Sequence, residues 1–370
     1  MKKFFWILSF VIFSVLIFTM SPYVNSGDSG EFITNSIILG INHSPGYPLY
    51  SLLGKIFSII IPFGSFAYRI NLLNIVLSVV IFNLMLLFLR KVVVNESKMI
   101  YGIIVILIFI FSESFWRNAA QTEVFVLNIL ILLGIVLTLL TINSQEKWYL
   151  VSLLFGLGMS NHHTLIFVFP GIVFYAIKEY KFLKKNFILV LSFFVLGLSV
   201  YLFLPLRAAK KPYFNWGEIN SFESFLNVIT RKDYGTFQLT VNKPLDRNFG
   251  VIIKQVVRYV KKTKEDLTIF PLFIFMASLY ILYKKEKISF LFFISTFLFS
   301  GIGFFLISNL PFDSLSDGIL ERFYIMPNFI IVMTILYSTK YINLLNSKIK
   351  FFVLCFLLTL SSTLHSTLIY

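Results

Sequence analysis

Residues 4–20 read FFWILSFVIFSVLIFTM, broken only by Ser9, Ser14 and Thr19, and the chain then changes character to GDSGEF at 27–32. A helix needs roughly 17 to 25 mostly apolar residues to cross a bilayer, where it satisfies its backbone hydrogen bonds internally. Comparable runs recur near 71–89, 99–111, 122–142, 148–160, 163–177, 187–205, 267–283, 288–308, 323–339 and 350–366. The pattern predicts an all-α polytopic membrane protein, a bundle of about eleven transmembrane helices forming a single membrane-embedded domain over residues 1–370. Composition agrees, with 58% hydrophobic and 13% charged residues and a mean hydropathy of +0.85; soluble domains carry about 25% charged residues.

The formal charge of +15 is spread over short loops between apolar runs, so it is read as orienting the chain rather than binding nucleic acid. Cys355, the one cysteine, lies inside an apolar run, which leaves no disulfide framework and no thiolate metal site. Lys2 and Lys3 ahead of the first run have the form of a signal peptide, but no A-x-A pattern follows, so an uncleaved anchor is expected.

With Lys2 and Lys3 in the cytoplasm, alternate loops fall inside with Arg90, Lys91 and Lys98; Lys147; Lys178, Lys181, Lys184 and Lys185; Lys284, Lys285 and Lys287; and Lys340, Lys348 and Lys350. The other side receives the first extracytoplasmic loop at 21–70, residues 112–121, the turn SNHH at 160–163, the segment 206–266, and 309–322. Asp28, Glu31, His43, Glu113, Arg117, His162, His163, Arg207 and Arg322 then share that side, although the inside loops alone set the orientation. A single extracytoplasmic site is expected. The segment 206–266 is too polar to span and long enough to fold over such a site as a lid.

Asp28-Ser29-Gly30-Glu31 has the spacing of a capping box, with Gly40 placed to end the helix about three turns later. The same two carboxylates, at the membrane surface and one turn apart, suit a general base whose neighbour tunes it. The two readings are compatible. GDSG also occurs around serine-protease nucleophiles, but the scaffold and base those enzymes need have no counterpart here. His43-Ser44-Pro45-Gly46-Tyr47-Pro48 predicts a rigid bend leading into a second, amphipathic loop helix from Pro48 to Ile61. His43, His162 and His163 together with acids raise a divalent metal as an option, although no H-E-x-x-H spacing supports one. Glu123 opens an apolar run, where an acid is costly unless it is paired or faces a wet cavity. Arg69, Arg117, Arg207 and Arg322 sit at outer-edge positions; each alone reads as an anchor, and together they suit bidentate capture of a phosphate.

Seven ordered motifs, GDSGEF, HSPGYPLYSLLGKIF, PFGSFAYRINLLN, WRNAAQTEVFVLN, GLGMSNHHT, YLFLPLRA and NWGEINSFESFLNVITRKDYG, cover roughly residues 22–235. In that order they resemble the transmembrane O-mannosyltransferase family, placed among the GT-C-fold glycosyltransferases. Arg322-Phe323-Tyr324 with Pro327 is similar to an arginine-aromatic-proline element late in such enzymes. The resemblance implies inverting transfer of a sugar, mannose in that family, from a polyprenyl-phosphate carrier to an acceptor hydroxyl such as Ser or Thr of an exported protein. It further implies an acid of the first extracytoplasmic loop as base, a role that Asp28 or Glu31 matches. Arg207, Arg117 and Arg322 would stabilise the departing phosphate, while His43, Asn161, His162 and His163 would contact sugar or phosphate. No cofactor is required by this reading; a divalent metal held by Glu123 and Asp28 stays open. The setting would be a bacterial cytoplasmic membrane, and at 370 residues no large soluble C-terminal domain of the kind some family members carry is expected. The alternative is a transporter or flippase, which would place polar groups near the midplane; here they collect at the outer edge.

Overall fold

The computed structural model describes residues 2–342 apart from 94, 237, 238, 240–244 and 247. The expected crossing at 350–366, with Cys355, lies outside the described residues. Within them the chain is helical, and extended pairing is limited to one bridge between Ile41 and Asn215.

The first apolar run forms α1 (Lys2–Thr19), followed by the two short helices of the first loop, α2 (Ser29–Ile38) and α3 (Pro48–Ile60). Next come α4 (Phe66–Val92), α5 (Glu96–Ile110), α6 (Glu113–Ala119), α7 (Phe125–Thr141) and α8 (Lys147–Asn161). A 3-10 turn, His163–Val168, leads into α9 (Phe169–Lys178), α10 (Tyr180–Lys185) and α11 (Phe187–Leu198), and a second such turn into α12 (Phe203–Ala208). The remainder forms α13 (Phe222–Ile229), α14 (Phe249–Leu267), α15 (Ile269–Lys285), α16 (Lys287–Leu298), α17 (Phe304–Ser308), α18 (Ser314–Glu321) and α19 (Ile325–Ser338). Helix starts follow local chemistry: Asn95 accepts from the Ser97 and Lys98 amides ahead of α5, Asn248 from Val251 at α14, and Asp313 from Ser316 at α18.

Ten of the eleven expected runs coincide with helices. Among the described residues three helical stretches are long and apolar enough to cross a membrane, Phe66–Val92, Phe187–Ala208 and Lys287–Ser308, and up to six if each of three sharply bent pairs counts as one span. Shorter apolar helices accompany them. The segment 206–266, expected as a long extracytoplasmic loop, contains α13 and the 19-residue α14.

The chain divides into two compact units. One comprises Met1–Val80, Asn118–Ile166 and Lys178–Pro244, the other Ile81–Arg117, Phe167–Ile177 and Leu245–Tyr370. In the first unit α8 and α11 approach at backbone distance: a Cβ on Gly197 would lie 2.4 Å from the Leu153 carbonyl oxygen, and one on Gly156 2.3 Å from that of Phe194. Small residues at such a crossing let helices gain van der Waals contact where lipid offers no hydrophobic drive. In the second unit a buried carboxylate, Asp266, accepts from the Ser114 amide at 2.9 Å and from the Asn328 side chain, which ties α6, α14 and α19 together.

Candidate active site

The first unit holds the loop of α2 and α3 through buried amides, which in an apolar interior must find partners. Asn35 donates to Asn42 at 2.8 Å, and Asn42 donates to Ser51 at 2.8 Å, so both helices share one network. Asn71 on α4 donates to the carbonyls of Ser21 and Tyr23, and Asn74 to those of Asn118, Gln121 and Glu123. Tyr50 on α3 closes the frame by donating to Asn74 at 3.0 Å. The asparagines of RINLLN thus tie the segment ahead of GDSGEF and the NAAQTE strip to one helix.

The bend between α2 and α3 is built by a cis Ser44–Pro45 peptide, Gly46 at φ +94° and Tyr47 at φ +45°, with Pro48 opening α3. It carries His43 back onto α2. Glu31 accepts from the His43 backbone amide at 2.5 Å through one oxygen and meets the ring Nδ1 at 2.9 Å through the other. A carboxylate only accepts, so Nδ1 carries the proton. Nε2, 3.2 Å from the Tyr47 hydroxyl, then accepts from Tyr47 in the neutral ring. Burial pushes the Tyr47 hydroxyl well above its ordinary range, which keeps it protonated and a donor.

Residues 213–235 lie against this bend. The Ile41 amide donates to Phe214 at 2.9 Å and the Trp216 amide to Ile41 at 3.3 Å. Asp233 accepts from Ser44 at 3.0 Å and from the Trp216 indole at 2.9 Å. The Trp216 and Tyr234 rings stand edge-on to His43, at 6.1 and 6.3 Å between centroids. Beneath them Ile41, Tyr201, Leu204, Ala208, Ile219 and Val228 form one apolar cluster. Burial also raises the Tyr234 hydroxyl, with help from the adjacent Asp233 carboxylate. Asp28, Glu31 and Arg231 act electrostatically on both Tyr47 and Tyr234, so these charges lie near both hydroxyls.

The expected residues separate accordingly. Asp28 precedes α2, but its side chain makes no capping hydrogen bond, and Glu31 turns to His43 rather than back to the helix start: the capping box does not form. Leu39, not Gly40, takes the left-handed conformation that ends α2. Gly40 serves close approach, since a Cβ there would lie 2.2 Å from Asn35 Oδ1. Glu123 is buried and acts electrostatically on Tyr47 and Tyr50. His162 packs between Phe125 and Tyr47, with ring centroids 4.7 and 5.7 Å away. His163 Nε2 meets the Tyr201 hydroxyl at 2.8 Å. Asn161 still belongs to α8 and donates to the Val124 carbonyl at 3.1 Å.

Two of the expected phosphate arginines are occupied by backbone. Arg69 donates to the carbonyls of Ser58, Pro62, Phe63 and Gly64. Arg207 caps the end of α2 through Leu39 at 2.5 Å and Ile38 at 3.0 Å. Arg117 and Arg322 belong to the second unit, where Arg117 bridges Glu113 and Glu321 at 2.9 Å each and Arg322 follows α18. Among the described residues no three His, Cys, Asp or Glu side chains are grouped to hold a metal ion; Glu123 and Asp28 alone do not make such a site. Sequence reasoning missed Tyr47, Tyr201, Trp216, Arg231, Asp233 and Tyr234. For Trp216, Arg231, Asp233 and Tyr234 the signal was aromatics set beside charge in NWGE and RKDYG.

Residues 28–186 match the family profile described as the protein O-mannosyl-transferase TMEM260 N-terminal domain. Among curated proteins, the chain is 29% identical to protein O-mannosyl-transferase TMEM260 of Mus musculus, over 86% of this chain and 47% of the relative. It is 28% identical to protein O-mannosyl-transferase tmem260 of Dictyostelium discoideum, over 85% of this chain and 42% of the relative. The chain thus spans about half the length of the curated relatives it matches. No solved structure matches it. The profile begins at Asp28 and takes in the bend, the asparagine frame and the His162–His163 pair, and by that match and by both relatives the chain is similar to the TMEM260-type protein O-mannosyltransferases.

Proposed function

We propose that this chain is a GT-C-type glycosyltransferase that moves a sugar, mannose by the names of its relatives, from a polyprenyl-phosphate carrier to a protein hydroxyl at the extracytoplasmic face of the membrane. The observation that carries the reading is the grouping of Asp28, Glu31, His43 and Tyr47 near Trp216, Arg231 and Tyr234, in a chain whose apolar helices suit a lipid-linked donor. Asp28 takes the acceptor proton as its oxygen bonds to the anomeric carbon. The bond from that carbon to the phosphate oxygen breaks, and the electron pair leaves with the polyprenyl phosphate, whose charge rises from one to two. Attack opposite the leaving group inverts the sugar. Glu31 acts as a positioning residue, because both of its oxygens are engaged by His43. A buried Tyr47 that stays protonated holds the His43 ring in place from its other side.

The test uses detergent-purified protein, radiolabelled polyprenyl-phosphate mannose and a Ser/Thr-containing acceptor peptide. Asp28→Asn should lower kcat by about 10²- to 10⁴-fold, the usual contribution of a general base, with donor KM little changed. Transfer by Asp28→Asn at the wild-type rate would remove Asp28 from that role. Wild-type protein that consumes no lipid-linked donor would remove the enzyme reading itself.

A further inference from the structure

We infer that Arg231 is the residue that binds the phosphate of the lipid-linked donor and stabilises it as it departs. The inference rests on the glycosyl-transfer reading and changes its cation, since sequence position favoured Arg207, Arg117 and Arg322.

Three arginines lie in the first unit, and two of them are used up by the fold. Arg69 spends its guanidinium on four carbonyls and Arg207 on two. Arg231 differs. Its Nε is buried with no hydrogen-bond partner, and Nη2 makes one long contact, 3.5 Å, to the Leu239 carbonyl. Among the described residues it forms no ion pair, although Asp233 is two positions away: that carboxylate accepts from the neutral donors Ser44 and Trp216 instead. A guanidinium is a planar fork of donors, and leaving its buried Nε donor unmet is costly unless a ligand completes it.

The backbone aims this side chain. Arg231 follows α13 at φ +56°, ψ +40°, a left-handed conformation that an arginine adopts only when its surroundings hold it there. The hold is visible in the Arg231 amide bonding Val228 at 3.1 Å and in the Tyr234 and Thr236 amides bonding the Arg231 carbonyl at 3.1 and 2.9 Å. The guanidinium lies 5.1 Å from the centroid of the Tyr234 ring and acts electrostatically on Tyr47 and His163. The Tyr47 and Tyr234 hydroxyls and this one cation therefore lie near Asp28 and Glu31, which act on the same two hydroxyls. A phosphodiester bound there would carry one charge and leave as a monoester with two, so a fixed cation gains most in the transition state.

Binding of farnesyl phosphate, farnesol and inorganic phosphate to the full chain in detergent tests this, alongside donor kinetics. Arg231→Gly removes the guanidinium while suiting the left-handed backbone, Arg231→Ala removes it without that relief, and Arg231→Lys keeps a charge without the fork. Both neutral variants should bind farnesyl phosphate at least tenfold more weakly, the lysine variant should fall between, and farnesol binding should be unchanged in all, which a merely structural role would not produce. In turnover the glycine variant should raise donor KM and lower kcat while leaving acceptor KM alone. Wild-type affinity for farnesyl phosphate in Arg231→Gly overturns the assignment and leaves the enzyme reading standing. Equal, Arg231-dependent affinity for inorganic phosphate overturns the lipid donor as its ligand. A wild-type protein that neither binds farnesyl phosphate nor consumes donor overturns both.

Discussion

At the scale of single residues, backbone conformation at the bend decides what Glu31 touches. Asp28 and Glu31 have capping-box spacing, yet the partner of Glu31 lies twelve residues ahead because Gly46 and Tyr47 both take left-handed backbone and swing His43 back. Gly46 is the residue on which that geometry depends. It needs φ +94°, and a Cβ there would lie 2.7 Å from Leu204 Cδ1 in the apolar cluster beneath the bend. Gly46→Ala should therefore destabilise the protein by about 2–6 kcal/mol, the sum of backbone strain and overpacking, read as a lower unfolding midpoint in detergent. Adding Leu204→Ala should return only the steric part. An unchanged midpoint for Gly46→Ala would mean that the bend does not depend on this conformation. The arginines teach the same lesson: an outer-edge guanidinium looks alike in sequence whether it caps carbonyls, as Arg207 does, or keeps a buried donor unmet, as Arg231 does.

At the scale of elements, the apolar runs were legible because a bilayer imposes length and composition on a crossing helix, and ten of the expected runs fall on helices. The helices within 206–266 were not. In α14 polar and apolar residues share a helix with an average composition close to that of a loop, so a reading based on runs passes over it. The packing of α8 on α11 was equally hidden, since GLGMS carries no mark of which helix its glycines meet. That crossing makes a specific demand. Gly197→Val would place its side chain into the Leu153 carbonyl and the Leu157 amide, 2.4 and 2.6 Å from the Cβ, and backbone cannot yield as a side-chain tip can. The expected result is a loss of about 3 kcal/mol, at the upper end of overpacking costs, with α11 forced from α8. Because Tyr201, just beyond α11, holds His163 at 2.8 Å, donor turnover should fall with it. A variant that keeps both its unfolding midpoint and its turnover would show that the two helices tolerate separation.

At the scale of the whole molecule, the two compact units were illegible because each is assembled from three separated stretches and both are built of apolar helices, so no change of composition marks where the chain passes between them. Orientation is the opposite case: it is read from charge alone, and it decides whether the candidate site can meet a donor that has crossed the membrane on its lipid. Ser26, exposed just ahead of Asp28, and Gln145, exposed between α7 and α8, are placed by the charge rule on opposite sides. With Cys355 replaced by serine, Ser26→Cys in intact cells should react with an impermeant maleimide, whereas Gln145→Cys should react only after permeabilisation. The converse pattern would put Asp28 and the bend on the cytoplasmic side, where nucleotide-linked sugars are available and a lipid-linked donor has no advantage. It would thereby overturn the proposed face and the chemical reason for a polyprenyl carrier together, while leaving the fold of the first unit as described.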